Sequence, residues 1–568
     1  MPTDVSQDTI ELNIELLEAL EPNEATRPFP TLIRTEKYET REFQALTLEN
    51  PYLRITTLPD LGGRILRIFD KRTGTDILPF DPKLPLLTGG RRGVLCPAGV
   101  QVEVGRGDRP NSMGTVSSMP DYADGDEGPT AIWWGELDGE GISLNVRIHL
   151  PPDQASFEIE VRAFNRTLAP LPYDGRLVFG LSGGNLIPYD YGFVWHEQNR
   201  ALMLDSGGQM SHAALAEGRL SLHRFGFLRS LAPRQLDAWK VRISPYTGLG
   251  EFLAGTSQFA LGLKDGSLSL QASQSIARAK VVIQTASGEV LDAPIDLDPA
   301  EATFLPLPES VHPLGGIVVL GSHREELLRW DPSRKLTMSQ VKTDEPVPNP
   351  PFHPGSDLTT LQRGTFDVEH RHLAHTLLGY QALAAKDFGE ASRAFEQALL
   401  YNAEDHLVWW AKAIAERHLE GGQEEGPELL NAHYLAPLEP ALRAESFLAN
   451  PTQSKEKVAV LNPLEETPDA FIDVACHLLE MGLNEEASKW LDESIRHVDL
   501  PMLRYLLAYA YLRASRMDVE AGELISAAGR LGLRPPYPWR PTEWTAIEAL
   551  IARFPNDPTL PEYHKLLT

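Results

Sequence analysis

Cysteine is almost missing. Cys96 and Cys476 are the only two in 568 residues and stand far apart in the chain. Such a pair offers neither a disulfide framework nor a thiolate metal site, and both read as small buried apolar residues. Basic charge is also short: 52 Lys and Arg face 79 Asp and Glu, a formal net charge of -27. That balance repels phosphate backbones over most of the surface and excludes nucleic acid as a general partner. No stretch approaches the ~18 apolar residues of a membrane span, and the opening MPTDVSQDTIELNIELLEALEP has no basic segment followed by an apolar run. The expectation is a cytoplasmic protein without membrane contact.

A phosphate loop is missing too. In LPDLGGRILRIFDKRTGTDIL (58–78) the pair Gly62-Gly63 leads into a strand rather than a helix, and no Lys-Ser/Thr follows. The pair reads as the corner of a hairpin that needs a positive φ. The same reading applies to Gly89-Gly90, Gly183-Gly184 and Gly207-Gly208. No cofactor is expected.

What is present falls into two halves. From about Ile33 to Gln340 the chain is written in short strands divided by Gly, Pro, Asp and Asn clusters. Phe157-Glu158-Ile159-Glu160-Val161-Arg162-Ala163 alternates apolar and charged residues, the pattern of a half-buried antiparallel strand. A dozen such strands without intervening helices argue for a large β-sandwich. KTDEPVPNPPFHPGSD (342–357) then reads as an extended linker, and alanine- and leucine-rich helical patterns follow from about Val368. Gly379, Ala391, Phe395 and Ala398 carry tetratricopeptide spacing, which recurs at Ala487/Leu491/Ser494 and, 34 residues on, at Ala521/Ile525/Ala528. The expected division is a β domain over 1–340, a Pro-rich linker over 341–367 and helical repeats over 368–568.

Asn50-Pro51-Tyr52-Leu53-Arg54-Ile55, Leu58-Pro59-Asp60-Leu61-Gly62-Gly63-Arg64-Ile65, Asp70-Lys71 and Thr73-Gly74 come in a fixed order. Ala98-Gly99-Val100-Gln101-Val102-Glu103, Trp133-Trp134-Gly135-Glu136-Leu137 and Asn165-Arg166-Thr167 follow. In that order they closely resemble a bacterial family of unknown function that joins a galactose-mutarotase-like β domain to tetratricopeptide repeats. The resemblance implies an antiparallel β-supersandwich whose concave face holds a carbohydrate, followed by a helical repeat domain. It also exposes a departure: Gln101 stands where the family carries a glutamate, and GRGDRPN replaces its histidine-bearing loop.

Chemistry at an anomeric carbon needs a proton acceptor and a proton donor, carboxylates or a carboxylate with a histidine. The β half offers His149, His196, His212, His223, His312 and His323. His196 is the expected choice, because Tyr189-Asp190-Tyr191-Gly192-Phe193-Val194-Trp195-His196-Glu197 gathers aromatics, carboxylates and an imidazole. Glu103 is the expected carboxylate, since alternation puts Gln101 and Glu103 on one face while Val100, Val102 and Val104 fill the core. Gln101, Arg64, Trp134, Tyr189, Tyr191 and Trp195 complete the expected sugar site. Against this, Arg64 also reads as a buried strand arginine paired with a carboxylate, and one ring of Trp133-Trp134 must belong to the core. Asp121, Asp124, Asp126 and Glu127 lack the spacing of a calcium loop and read as a solvated acidic turn.

Two functional readings follow. One is a carbohydrate-binding protein acting at the anomeric carbon, as epimerase or glycoside hydrolase, through Glu103 and His196. The other is a non-catalytic scaffold whose helical repeats hold a protein partner.

Overall fold

The computed structural model describes residues 3–20, 31–88, 94–104, 115–121, 130–137, 141–181, 183–189, 191–216, 218–285, 290–307, 314–332, 349–353, 355–420, 426–449, 467–514, 518–534, 536 and 538–565. The fold class expected from the sequence is the one observed: stacked antiparallel sheets, then paired helices.

Two large sheets form the main sandwich. In the ten-stranded sheet the order runs His212–Ala216, Arg219–His223, Arg176–Phe179, Val100–Glu103, Arg64–Asp70, Leu53–Leu58, Thr31–Glu49, Asp4–Leu20 and Lys83–Leu84, with Thr75–Asp76 beside Arg64–Asp70. The eight-stranded sheet runs Ser117–Asp121, Ala131–Leu137, Ile142–His149, Phe157–Asn165, Leu236–Thr247, Arg200–Asp205, Gly192–Glu197 and Asn185–Tyr189. Their facing sides share one core, in which Ile65, Val100, Val102 and Leu177 meet Trp134, Val161, Trp195 and Val241. Strand alternation explains the division: Phe157, Ile159, Val161 and Ala163 are buried, while Glu158, Glu160 and Arg162 between them are not fully so. Side chains two residues apart share a face, and one residue's offset reverses it.

The opening glycine pair is the hairpin corner expected. Gly62 and Gly63 both have positive φ, 71° and 65°, and the chain turns there into Arg64–Asp70. Gly63 has a second reason to be glycine, because a Cβ there would lie 2.5 Å from the Trp134 ring. The outer face of the ten-stranded sheet is partly covered by its own apolar cluster, including Leu12, Phe43, Leu58, Leu66, Leu84 and Cys96.

The strands from Glu251–Gly255 to Glu326–Trp330 pair only with one another, in two four-stranded sheets around a separate core that includes Phe259, Leu270, Val281 and Val319. This smaller sandwich sits against the outer face of the eight-stranded sheet, where Val194, Met203 and Tyr246 meet Leu249 and Ala260.

Twelve helices follow among the described residues. Arg371–Ala384 and Phe388–Tyr401 form the first antiparallel pair, and Gly379 is where they cross: a Cβ there would fall 2.3 Å from the Phe395 ring. Asp387 caps the second helix, accepting from the Glu390 amide at 3.1 Å. Asp469–Glu480 with Asn484–His497 and Pro501–Arg513 with Asp518–Leu531 repeat the arrangement. One apolar core runs through the helices and includes Phe164 of the β region, whose ring lies 4.4 Å from that of His406.

Two buried arginines fix the β region to the helices. Arg166 donates to Glu439 and Asp473 and lies 3.0 Å from His477 Nε2. Asp473 also accepts from Arg540 at 3.1 Å, and His406 Nε2 lies 3.0 Å from Glu439. Arg234 donates to the Tyr380 hydroxyl at 3.3 Å and faces Asp405 at 3.9 Å. Burial alone would raise the Glu439 carboxyl, but Arg166 and His406 hold it well below the usual carboxylate range. Asp473 is lowered in the same way by Arg166, His477 and Arg540, against its own burial.

Candidate functional site

Gln101 and Glu103 sit in the strand Val100–Glu103 and turn away from the core that Val100 and Val102 enter, as alternation requires. The neighbouring strands are in register, so that Glu103 faces Arg176, Arg176 faces His223, and His223 faces His212. Directly opposed residues on one face have Cβ atoms about 5 Å apart. Four polar side chains therefore stand in one row across four strands. A second row, through Ser221, Val178 and Gln101, lies one strand repeat away.

Arg64 joins this surface from the next strand. Its guanidinium donates to the Ala98 carbonyl and to Gln101 Oε1, and it is 2% exposed. Gln101 and Glu103 are each 4% exposed. Arg176 approaches Glu103 Oε2 to 3.3 Å. Five buried polar atoms of these four side chains nevertheless have no hydrogen-bond partner: Arg64 Nε, Gln101 Nε2, Glu103 Oε1, Arg176 Nε and Arg176 Nη2. An unmet buried donor or acceptor costs about 1–3 kcal/mol, and five of them lie together on this face.

The imidazoles lie at the more open end of the row. Asp174 Oδ2 is 2.8 Å from His223 Nδ1, and Asp174 Oδ1 accepts from the Phe225 amide at 3.2 Å. The carboxylate is thereby fixed and in turn orients the ring, leaving Nε2 on the outer face, 3.1 Å from Ser221 Oγ. The His212 ring is 5.6 Å from that of His223. Burial, and then His223, hold His212 below the usual imidazole value, partly offset by Asp174.

The other expected site residues are elsewhere. Tyr189 to Glu197 is a hairpin of the eight-stranded sheet, and its aromatics are dealt to both faces. Trp195 is fully buried in the main core and donates to the Gly183 carbonyl at 3.0 Å. His196 points the opposite way, stacks 5.0 Å from the Phe252 ring of the smaller sandwich, and is lowered by burial. Tyr189 packs on the same outer cluster; burial, then Asp205, push its hydroxyl up. Tyr191 is 61% exposed at the turn. Trp134 is a core residue, and Trp133 on the other face donates to Asp121 at 3.1 Å. The main core therefore separates Glu103 from His196. Asp121 also pairs with Arg147 at 2.7 Å, whereas Asp124, Asp126 and Glu127 lie outside the described residues, as do GRGDRPN, Gly89-Gly90 and the first part of the Pro-rich segment, 341–348.

His212 and His223 are among the histidines of the β half, but the aromatic-rich stretch 189–197 draws the expectation to His196. The usable signal was the period-2 pattern of Arg219-Leu220-Ser221-Leu222-His223, which sends Ser221 and His223 to the face opposite two core leucines. Arg176 and Asp174 give no comparable signal, because only the fold brings Arg176 beside Glu103 and Asp174 beside His223.

Residues 29–177 match a domain of unknown function, DUF5107. The DUF5107 segment holds Arg64, Gln101, Glu103, Asp174 and Arg176, while His212, His223 and the helices lie beyond it. Among solved structures, a TPR-domain-containing protein from Parabacteroides distasonis is similar over 94% of this chain and 97% of its own, with 12% identity and a TM-score of 0.36. A putative aldose 1-epimerase from Escherichia coli K12 is similar over 35% of this chain and 98% of its own, with 13% identity and a TM-score of 0.24. A galactose 1-epimerase from Lactobacillus acidophilus is similar over 43% and 100% respectively, with 9% identity and a TM-score of 0.24. No helix among the described residues is long and apolar enough to cross a membrane.

Proposed function

We propose that the outer face of the ten-stranded sheet binds a carbohydrate and transfers protons at its anomeric centre, with Glu103 as base and His223 as its partner acid. The observation that carries this reading is the group of five buried atoms without a hydrogen bond, three donor nitrogens on arginines, one amide nitrogen and one carboxylate oxygen. Sugar hydroxyls both donate and accept, so a saccharide meets this mixed set as a purely apolar ligand does not. Glu103 and His223 are separated by the strand that carries Arg176. Two strand spacings, about 10 Å, leave room for one sugar ring between a carboxylate oxygen and an oriented imidazole. Arg176 between them supplies donors to the oxygen on which charge develops.

The repeats serve in this reading as a rigid mount. Tyr380, Asp405, Glu439, Asp473 and His477, on or just before four different helices, are engaged by Arg166 and Arg234 of the β region. A protein partner held by the helical repeats is the weaker alternative, since these repeat residues are already engaged by the chain's own arginines.

The test is titration of the protein with a panel of reducing sugars and short oligosaccharides, followed by nuclear magnetic resonance of the anomer ratio. Saturable binding and accelerated interconversion are expected. Absence of binding across the panel overturns the reading.

A further inference from the structure

The charges on this face do not balance. Arg64 and Arg176 bring two guanidiniums, and Glu103 is the one carboxylate paired with either of them among the described residues. Asp174 is taken up by His223 and the Phe225 amide. Arg64 is the telling case. It is 2% exposed, yet both acceptors it reaches are neutral, the Ala98 carbonyl and the amide oxygen of Gln101, and its Nε reaches none.

A dehydrated guanidinium with only neutral partners is a buried charge without a counter-charge, the arrangement that proteins ordinarily avoid. At 101 the side chain is an amide, so the position beside Arg64 adds a carbonyl dipole and no negative charge, and the carboxylate of that strand, Glu103, is paired with Arg176. On the other side of that strand Arg176 has its counter-charge in Glu103, but its Nε and Nη2 make no hydrogen bond. Arg64 and Arg176 flank Gln101 and Glu103, which lie about 7 Å apart as same-face neighbours on one strand. An oxyanion on a sugar would supply both the missing charge and the missing lone pairs, since guanidinium forks match carboxylate and phosphate oxygens.

Resting on the carbohydrate reading above, we infer that the ligand of this face is an acidic saccharide, a sugar bearing a carboxylate or a phosphate that pairs with Arg64.

Calorimetric titration tests it with glucose, galactose and mannose, each set beside its uronate and its 6-phosphate, on the full chain. At least one acidic form is expected to bind 10-fold or more tightly than its neutral parent, and to weaken as salt is raised. The uronate and phosphate arms tell the two oxyanions apart. Gln101→Glu, which places a carboxylate beside Arg64 with little change of shape, is expected to abolish the preference while circular dichroism shows the fold retained. Arg64→Gln serves as the second variant with the same expectation. Neutral sugars binding as tightly as both acidic forms would overturn this inference and leave the carbohydrate reading standing. Binding by no member of the panel would overturn both, and an acidic preference that survives Gln101→Glu would remove Arg64 as its source.

Discussion

Glu103 and His223 stand on either side of Arg176 on one sheet face, each in cross-strand register with it. Neither makes a hydrogen bond that closes the space between them. Glu103 Oε1 makes no hydrogen bond, and His223 is held by Asp174 through Nδ1 and meets Ser221 Oγ through Nε2. The functional reading rests on that relationship, and so do the contrasts among the variants.

Glu103→Gln keeps the shape of the side chain and removes its basicity. Loss of one positioned acid or base commonly costs 10²–10⁴-fold, and anomer interconversion should fall by about that factor with saccharide affinity changed far less. His196→Ala is the control, because His196 lies on the other sheet's outer face against Phe252. Its rate and affinity should match the unaltered protein. Equal losses in both variants would contradict the assignment.

Arg166 is the second point of leverage. Replacing it with Met leaves Glu439 and Asp473 buried without their shared cation. Breaking a buried pair on one side typically destabilises by about 3–5 kcal/mol. Urea denaturation followed by tryptophan fluorescence should show that loss. An unchanged midpoint would mean that the arginine contributes little to holding the β region to the helices.

The same network sets a pH dependence. Glu439 and Asp473 are held below their ordinary values in the folded protein, and Glu480 is lowered by His477 and Thr542 against its own burial. A carboxylate lowered by folding adds stability that is complete above its unfolded value and is lost as pH falls through the folded one. Glu543, raised by burial, acts in the opposite sense. Three against one, stability should decline as pH falls from about 4 downward, and the decline should be shallower in Arg166→Met. Denaturation midpoints measured at about pH 5, 4 and 3, across the carboxylate range, check both statements.

The two turns of the opening hairpin separate backbone strain from steric conflict. Gly63 and Gly74 have nearly equal positive φ, 65° and 67°, but a Cβ at Gly63 meets the Trp134 ring whereas one at Gly74 meets nothing within 4 Å. Gly74→Ala should cost about 1 kcal/mol from the left-handed conformation alone. Gly63→Ala adds overpacking, typically a further 1–3 kcal/mol. Thermal denaturation of the two variants should rank them in that order, and equal shifts would show that the ring yields freely.

Much of the fold was legible because alternation and helical spacing are local. Phe157 to Ala163 announces a half-buried strand without reference to its neighbours, and Gly379 with Phe395 announces a helix crossing at close range. The long strand Asp4–Leu20 and the separate pairing of the strands beyond Glu251 were not legible, since a strand's pattern does not say which sheet it joins. The site divides along the same line. Gln101 and Glu103 were placed on one face by their spacing, whereas Trp195 and His196, adjacent in an aromatic-rich run, were assigned to one site although adjacent strand residues face opposite ways. Arg166, read only as part of a family pattern, gained its meaning from helices some 300 residues further on.

The most direct test of the central claim is a crystal structure of the protein with a bound saccharide. The account predicts sugar or acid-group oxygens within hydrogen-bonding distance of Gln101 Nε2, Glu103 Oε1 and the Arg176 guanidinium, with the ring lying toward His223. A saccharide seated instead on the Tyr189–His196 hairpin or along the helical repeats, with those atoms still unpaired, would contradict it.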